Sequence, residues 1–303
     1  MLLYKKKGEL DMEEVINDIT KETINYSTIS ETLDSVCNKL EAGNFLKENK
    51  DIIVNDKLTF QKGDLVVLGS RPHIGKTGFT ISLIKKLAIN QSYPVGIISP
   101  DTKKQYIALR LLSQMTEIEY DKLKYDKLSK KDISKIKDAS KIISNCPIYI
   151  NDQELISIKN IIKVISELNS TKNINIFFID GISLIKEIAE LEIESFETNC
   201  EYSDMMSHLL DIFKQLAVEL NIVIIINTNL SRSGTSAQPT IRSFIGLSTI
   251  VRKKADKILI LHRYRCREKY EIQSYDLFIY RKTGPFSSIS NYYLEPYILF
   301  GLG

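Results

Sequence analysis

Residues 69–79 contain side chains and glycines suited to holding phosphate. The segment Gly75-Lys76-Thr77 supplies a glycine that bares backbone N–H groups, an ammonium for the β- and γ-phosphates, and a hydroxyl for Mg²⁺. An apolar run at 65–68 precedes it and an amphipathic pattern at 80–87 follows. A strand, a phosphate-binding loop and a helix are therefore predicted, with ATP bound by Ser70, Arg71, Pro72, His73, Ile74, Gly75, Lys76, Thr77 and Gly78.

This loop departs from the usual phosphate-loop pattern at one position. Ser70 stands where the pattern has its first glycine, so the prediction of a phosphate-binding loop depends on the strand before it and the helix after it. The alternative is an ordinary strand-turn-helix corner, which the Gly-Lys-Thr triplet disfavours in that context. His73 at the loop tip can approach a nucleotide, but an exposed histidine is its simpler interpretation.

Three polar residues follow apolar runs that read as buried strands. Asp180 ends the run 175–179 and is the candidate partner of Mg²⁺, because α/β folds place ligands at the carboxyl edge of the sheet. Asp101 follows the run 95–99 and is the candidate base that orients the attacking water. Asn229 follows the run 222–226 and is the candidate sensor of the γ-phosphate.

The order of apolar and helical segments predicts an α/β fold with a mostly parallel sheet flanked by helices. Predicted strands lie at 65–68, 95–98, 148–150, 174–179, 222–226, 258–261 and 277–280. Lysine-rich residues 122–141 predict a helix with a solvated face. Thr28 and Glu31 form a capping-box pattern for an amphipathic helix that packs on its own domain or on a neighbouring subunit. We expect an arm with this helix at 1–56 and the main domain at 57–303.

The composition fits an intracellular α/β domain. The chain has 303 residues, with 41 Lys and Arg against 38 Asp and Glu, and the net charge of +3 neither demands nor excludes nucleic acid. The four cysteines have no metal-like spacing, which predicts reduced thiols and no zinc site. No apolar run is long enough for a signal peptide core or a membrane span, so a cytoplasmic location without membrane contact is expected.

The chain resembles the motor domain of DnaB-type replicative helicases from about Thr28 to its end. The likeness rests on Gly-Ser-Arg-Pro-His-Ile-Gly-Lys-Thr at 69–77, Ile-Asp-Gly-Ile-Ser-Leu at 179–184, residues 216–221 with 229–232, and Thr-Gly-Pro at 283–285. The resemblance implies a RecA-like fold, a hexameric ring with ATP between subunits, and single-stranded DNA in the channel. It also assigns Arg281 and Lys282 to an arginine finger that acts on the neighbouring subunit's ATP. The helix at Thr28 resembles the family's linker helix, which favours docking on an adjacent subunit.

Three residues depart from the family pattern. Asp101 replaces a glutamate, Asn229 replaces a glutamine, and Lys282 replaces the arginine that ends the finger motif. Shortening a catalytic side chain by one methylene moves its carboxylate by about 1 Å and can cost ~100-fold in rate. Lys76, Thr77 and Asp180 are intact, so nucleotide binding is predicted, and slow turnover is a hypothesis that the three departures raise.

Basic residues in the last third of the chain are the candidates for DNA contact, and they are Arg232, Arg242, Arg252, Lys253 and Lys254. The acidic segment at 187–204 would repel phosphates in a channel, and an outward-facing position is the alternative. We expect only a short arm before residue 57, without the family's helical N-terminal domain, and therefore no basis for predicting primase coupling.

Three functions follow, and the leading one is an ATP-dependent DNA helicase or translocase working as a ring. The second is a nucleotide-binding regulator or helicase-interacting protein that lost efficient catalysis, which the three weakened positions and the acidic segment favour. The third is a RecA-like ATPase that acts on DNA without unwinding it.

Overall fold

A computed structural model of the chain describes residues 51–55, 58–125, 127–182, 185, 199–230, 239–244, 247–263 and 275–281. All of them belong to one unit, Asp51–Gly303. The predicted helix at Thr28 lies outside the described residues. The boundary expected at 56/57 remains a prediction.

Seven of the nine strands among the described residues form one sheet. In chain order the strands are β1 (Ile52–Ile53), β2 (Thr59–Phe60), β3 (Leu65–Ser70), β4 (Val95–Ile98), β5 (Ile148–Asn151), β6 (Ile176–Ile179), β7 (Val223–Asn229), β8 (Lys257–Arg263) and β9 (Tyr275–Arg281). The large sheet has the order β5-β4-β6-β7-β3-β8-β9, and β1 pairs with β2 in a separate antiparallel sheet. Every pair in the large sheet is parallel except β8 with β9.

Helices connect these strands and cover the sheet. They are α1 (Lys76–Ile84), α2 (Lys104–Thr116), α3 (Tyr120–Tyr125), α4 (Lys130–Ser144), α5 (Ile158–Lys172), α6 (Asn199–Glu219) and α7 (Ser248–Lys254). A π-helical turn, Lys85–Asn90, continues α1, and a 3₁₀ turn, Ile241–Ser243, precedes α7.

The sheet is buried on both faces, as the continuous apolar runs predict for parallel strands. Side chains alternate along β3, so that Leu65 and Val67 join one apolar cluster while Val66 and Leu68 join the other. The first cluster contains Phe213 of α6 and the second contains residues of α1. The central strands are therefore fixed from both sides, and their carboxyl ends are rigid positions for polar side chains.

The structure confirms all seven predicted strands and the mostly parallel sheet. The lysine-rich region is helical, as predicted, and consists of the two helices α3 and α4; Ser129 caps α4 through a capping box with Asp132. In α4 only Ala139 is buried, which confirms the solvated face predicted for this region. Sequence patterns did not reveal the short β1–β2 hairpin or the π-helical turn.

Candidate functional site

The loop between β3 and α1 presents backbone N–H groups at a helix N-terminus. Gly75 adopts φ = 109°, and His73 adopts φ = 62° and is exposed. Gly75 has no side chain to cap α1, and the first turn of this helix contains no acidic residue. The first N–H groups of α1 and the positive end of its dipole thus suit an anionic ligand.

The rest of the predicted loop lies between the core and this helix. Ser70 is fully buried, and its hydroxyl donates to the carbonyl of Arg71 at 2.8 Å. Pro72 and Ile74 are half-buried, and Ile74 packs against the cluster that contains α1. Buried Gly78 lies in α1, where its carbonyl accepts hydrogen bonds from two side chains.

The ammonium of Lys76 contacts two of the other predicted residues, Asn229 and Ser70. Its Nζ donates to Oδ1 of Asn229 at 2.6 Å and lies 3.5 Å from Oγ of Ser70. Burial lowers the pKa of Lys76, while the negative charges of Asp180 and Asp101 oppose this shift. The ammonium therefore lies in the field of both predicted carboxylates, at the carboxyl edge of the sheet.

Asp180 is bound by two donors from different elements. The hydroxyl of Thr77 donates to Oδ2 at 2.9 Å, and Nδ2 of Asn227 donates to Oδ1 at 2.8 Å. The same Nδ2 lies 2.9 Å from Oγ1 of Thr80. Thr77 and Asp180, each predicted as a ligand of Mg²⁺, are thus hydrogen-bonded to each other inside a larger polar network.

Asp101 lies next to the turn that follows Asp180. A Cβ atom added to Gly181 would come within 2.7 Å of Cβ of Asp101, and Gly181 adopts φ = 95°, which favours glycine. The backbone N–H of Asp180 also donates to the carbonyl of Ile98 at 2.9 Å, which holds the ends of β4 and β6 together. The side chain of Asp101 is exposed.

The end of β7 is attached to the phosphate loop. Asn229 pairs with Ser70 in the sheet, and the N–H of Leu230 donates to the carbonyl of Ser70 at 2.8 Å. A Cβ atom on Gly69 would lie 2.6 Å from the ring of Phe244 and 2.9 Å from Leu230. Leu230 and Phe244 therefore pack directly on the strand that positions the loop.

Arg281 lies at the opposite edge of the sheet from the loop. It pairs with Lys257, which in turn pairs with Val66, four residues before Ser70 on β3. At about 3.3 Å per residue, this places the Arg281 backbone roughly 13 Å from the level of Ser70 along the strands. Lys282 lies outside the described residues.

The basic residues predicted for DNA contact fall into two groups. Arg242, Arg252 and Lys253 line a cavity of about 860 Å³. Among the residues that the structure describes, eight line it and none of them is acidic; the others are Thr240, Ile241, Ser248, Thr249 and Tyr280. Burial raises the pKa of the Tyr280 phenol above its ordinary value. Lys254 points elsewhere, since its Nζ binds both oxygens of Asp211 at 2.5 and 2.7 Å. Arg232 lies outside the described residues, and so does most of the acidic segment.

Asn227 and Thr80 are the site residues that sequence reasoning missed. Both are buried, at 3% and 2% exposure, and both are polar residues within otherwise apolar surroundings. The available signal was an amide that follows four apolar residues of β7, two positions before Asn229. A side chain at that position points into the protein, so it needs a buried partner.

The donor set suits Mg²⁺ delivered with a nucleotide. The described residues include no group of three or more His, Cys, Asp or Glu side chains that could hold a metal alone. One carboxylate and one hydroxyl remain beside the phosphate loop, and Mg²⁺ is commonly held by one or two carboxylates together with substrate phosphates. Over the same part of the chain, no helix has the length and apolar character needed to cross a membrane.

Comparison with known proteins places these features in a family. The model of the DnaB-like helicase C terminal domain matches residues 53–301. The replicative DNA helicase DnaB of Rickettsia prowazekii (strain Madrid E) is 26% identical over 253 residues, covering 77% of this chain and 50% of that protein. A probable plasmid replicative DNA helicase of Chlamydia psittaci is 28% identical over 208 residues, covering 68% and 44%. The chain thus spans about half the length of the curated relatives it matches.

Solved structures share the fold. One, described as an ATPase domain, has a TM-score of 0.70 at 22% identity, covering 91% of this chain and 99% of that one. A DnaB-like replicative helicase, described with its interactions with primase, has a TM-score of 0.70 at 21% identity, covering 96% and 70%. These likenesses confirm the predicted RecA-like fold.

Proposed function

The chain belongs to the DnaB-like helicase C-terminal domain family, and we propose that it is an ATPase that binds ATP with Mg²⁺ and moves on single-stranded DNA as part of a ring. The observation that carries this proposal is the convergence of Lys76, Thr77 and Asp180 at the N-terminus of α1. Lys76 and Thr77 are adjacent in the chain, and the folded sheet brings Asp180, 103 residues after Thr77, to them.

The residues divide the chemistry between them. Lys76 and the N–H groups of α1 bind the phosphates, and Thr77 with Asp180 holds Mg²⁺, which neutralises charge on the phosphate oxygens. Asp101 orients the attacking water from the neighbouring strand end. Asn229 detects the γ-phosphate through Lys76, to which it is hydrogen-bonded.

The finger acts between subunits. Because Arg281 lies about 13 Å below the level of the phosphate loop in its own sheet, it serves the ATP of a neighbouring copy. Such an arrangement makes hydrolysis depend on assembly, since a cation supplied in trans stabilises the transition-state charge. A ring is the closed assembly that such head-to-tail contacts generate, and we propose a hexamer.

Single-stranded DNA is the proposed polyanion for the cavity lined by Arg242, Arg252 and Lys253. Its cations, hydroxyl groups and Tyr280 ring match the phosphates and bases of a flexible strand. Phe244, two residues after Arg242, lies against Gly69 together with Leu230, the residue that follows the sensor Asn229. This contact offers a path by which nucleotide state reaches the DNA contacts.

A catalytically weak regulator of the same fold is the second candidate. The observation that favours it is the short, exposed Asp101 together with a sensor amide that already binds Lys76. The short carboxylate slows turnover, and an amide that is occupied by Lys76 reports the γ-phosphate poorly. The third candidate, a DNA-dependent ATPase without unwinding activity, shares the cavity and the nucleotide site.

Steady-state ATP hydrolysis with and without single-stranded DNA distinguishes these functions. Stimulation by DNA, with a rise in molecular mass when ATP and Mg²⁺ are added, supports the ring translocase, and a strand-displacement assay then identifies unwinding. Tight ATP binding with negligible turnover supports the regulator. No nucleotide binding at all would overturn the proposal.

Two earlier expectations concern primase as a partner and the location of the protein in the cell. The expectation that primase coupling lacks a basis is withdrawn, because a structural neighbour is described with primase, and a pull-down with primase is the direct test. The cytoplasmic location expected from the scattered cysteines remains a prediction.

A further inference from the structure

Asp180 is held on both carboxylate oxygens, but by donors of different character. Thr77 belongs to the phosphate loop and is half-buried, so its hydroxyl can turn toward a ligand. Asn227 lies in the centre of the sheet with 3% exposure. Oδ2 therefore faces the nucleotide site, whereas Oδ1 faces a fixed amide in the protein interior.

The orientation of the Asn227 amide is determined by its partners. Its nitrogen lies 2.8 Å from Oδ1 of Asp180 and 2.9 Å from Oγ1 of Thr80, so both N–H groups have an acceptor. An ionised carboxylate only accepts hydrogen bonds. Turning the amide over would place two oxygens against each other in a buried site, which is strongly unfavourable.

We propose that Asn227 is a positioning residue that leaves Asp180 one oxygen, Oδ2, for the metal and so favours Mg²⁺ over Ca²⁺. The inference rests on the proposed nucleotide function. Ca²⁺ takes six to eight oxygen ligands and accepts bidentate carboxylates in flexible geometry. Mg²⁺ is smaller, demands near-octahedral geometry and retains several waters. A carboxylate that is held in place and offers a single oxygen fits the coordination of Mg²⁺. It does not provide the bidentate ligand that Ca²⁺ accepts.

The test measures metal-dependent binding of a fluorescent, non-hydrolysable ATP analogue, with Mg²⁺ and Ca²⁺ titrated separately. Catalytic turnover does not enter this readout. In Asn227→Leu we expect the apparent Mg²⁺ affinity to fall about tenfold, in the range seen when residues supporting metal ligands are lost. The apparent Ca²⁺ affinity should change less, so the preference for Mg²⁺ over Ca²⁺ falls several-fold.

Thr80→Val is the matched control, because it disrupts the same buried network while leaving the Asn227–Asp180 contact in place. We expect its ratio of Mg²⁺ to Ca²⁺ affinity to match the wild type. If Asn227→Leu folds poorly, the double variant Asn227→Leu/Thr80→Val removes both buried polar groups together, which is better tolerated than removing one. Thermal melting of each variant without metal reports its folding.

Two outcomes would overturn the inference. One is a loss of affinity for both ions by the same factor in Asn227→Leu. The other is a shift in ion preference in Thr80→Val as large as that in Asn227→Leu, because this would reflect general destabilisation. A wild-type protein that binds the analogue with neither ion refutes the proposed function itself, and the inference with it.

Discussion

Lys76 of the phosphate loop donates a 2.6 Å hydrogen bond to Asn229 at the end of β7. The two residues are 153 positions apart in the chain, and the parallel pairing of β3 with β7 brings them together. A phosphate that takes up the ammonium competes with the Asn229 amide. This contact therefore links the phosphates to the strand that leads toward the basic cavity.

Asn229→Ala should separate binding from turnover. The variant frees Lys76 from a partner worth about 1 kcal/mol, so we expect ATP to bind roughly fivefold more tightly. Hydrolysis should slow, because the amide no longer detects the γ-phosphate. Calorimetry with a non-hydrolysable analogue and steady-state ATPase measure the two effects. Lys76→Ala is the control, which should lose nucleotide binding; weaker binding in Asn229→Ala would contradict the proposed competition.

Asp101→Glu should raise the rate of hydrolysis. The side chain is exposed, so a longer carboxylate has room to extend toward the attacking water. A change of about 1 Å in the position of a catalytic group can alter rates by up to ~100-fold, and we expect a gain of about tenfold in kcat. Asp101→Asn keeps the size of the side chain but removes the base, and its kcat should fall. Equal rates in all three proteins would place the base elsewhere.

The strands and the loop between β3 and α1 could be predicted from the sequence because each is formed by consecutive residues. The runs 65–68 and 95–98 are apolar throughout, as strands buried on two faces require. Asp180 was found in the same way, since it directly follows such a run.

Contacts between residues that are far apart in the chain could not be predicted from the sequence. Asn227 owes its role to Asp180 and Thr80, which are 47 and 147 positions away. Lys254 looked equivalent to Lys253, yet the helical turn directs it to Asp211, 43 residues earlier. Local patterns identify an element and its exposed face, but pairing across the fold depends on topology.

The basic cavity predicts different roles for adjacent cations. Arg252→Ala and Lys253→Ala should each weaken binding of single-stranded DNA and reduce the slope of log affinity against log salt by about 0.7, as expected for one lost phosphate contact. Lys254→Ala removes the same charge but breaks the pair with Asp211, so the salt slope should not change. Fluorescence anisotropy at several salt concentrations measures all three. A slope reduced equally by Lys254→Ala would mean that general charge, not the cavity, binds DNA.

Asp132 makes the stability of the chain depend on pH in the acidic range. Hydrogen bonds from Lys122 and Ser129 lower its pKa from 3.8 to about 2. Because the pKa is lower in the folded protein, the stabilisation is fully present above the unfolded value of 3.8 and is lost as the pH falls toward 2. We expect Asp132→Asn to melt below the wild type at pH 7, with the difference shrinking below about pH 4.

Asp138 provides the control for this effect. It lies exposed on the same helix, and Asp138→Asn removes the same charge without touching the capping box. Its melting temperature should follow that of the wild type across the acidic range. A difference between Asp132→Asn and the wild type that stays constant from pH 7 to pH 3 would exclude the ionised carboxylate as the cause.

Mixing two inactive variants tests whether Arg281 acts between subunits. Lys76→Ala keeps a functional finger, and Arg281→Ala keeps a functional phosphate loop, so each alone should hydrolyse ATP poorly. In a randomly mixed ring of equal parts, roughly a quarter of the head-to-tail interfaces join an intact loop to an intact finger, which predicts recovery of activity toward that fraction of the wild type. Steady-state ATPase across a series of mixing ratios measures this recovery, with a maximum expected at equal parts. Rates that stay at the sum of the two single variants would show that the finger lies elsewhere.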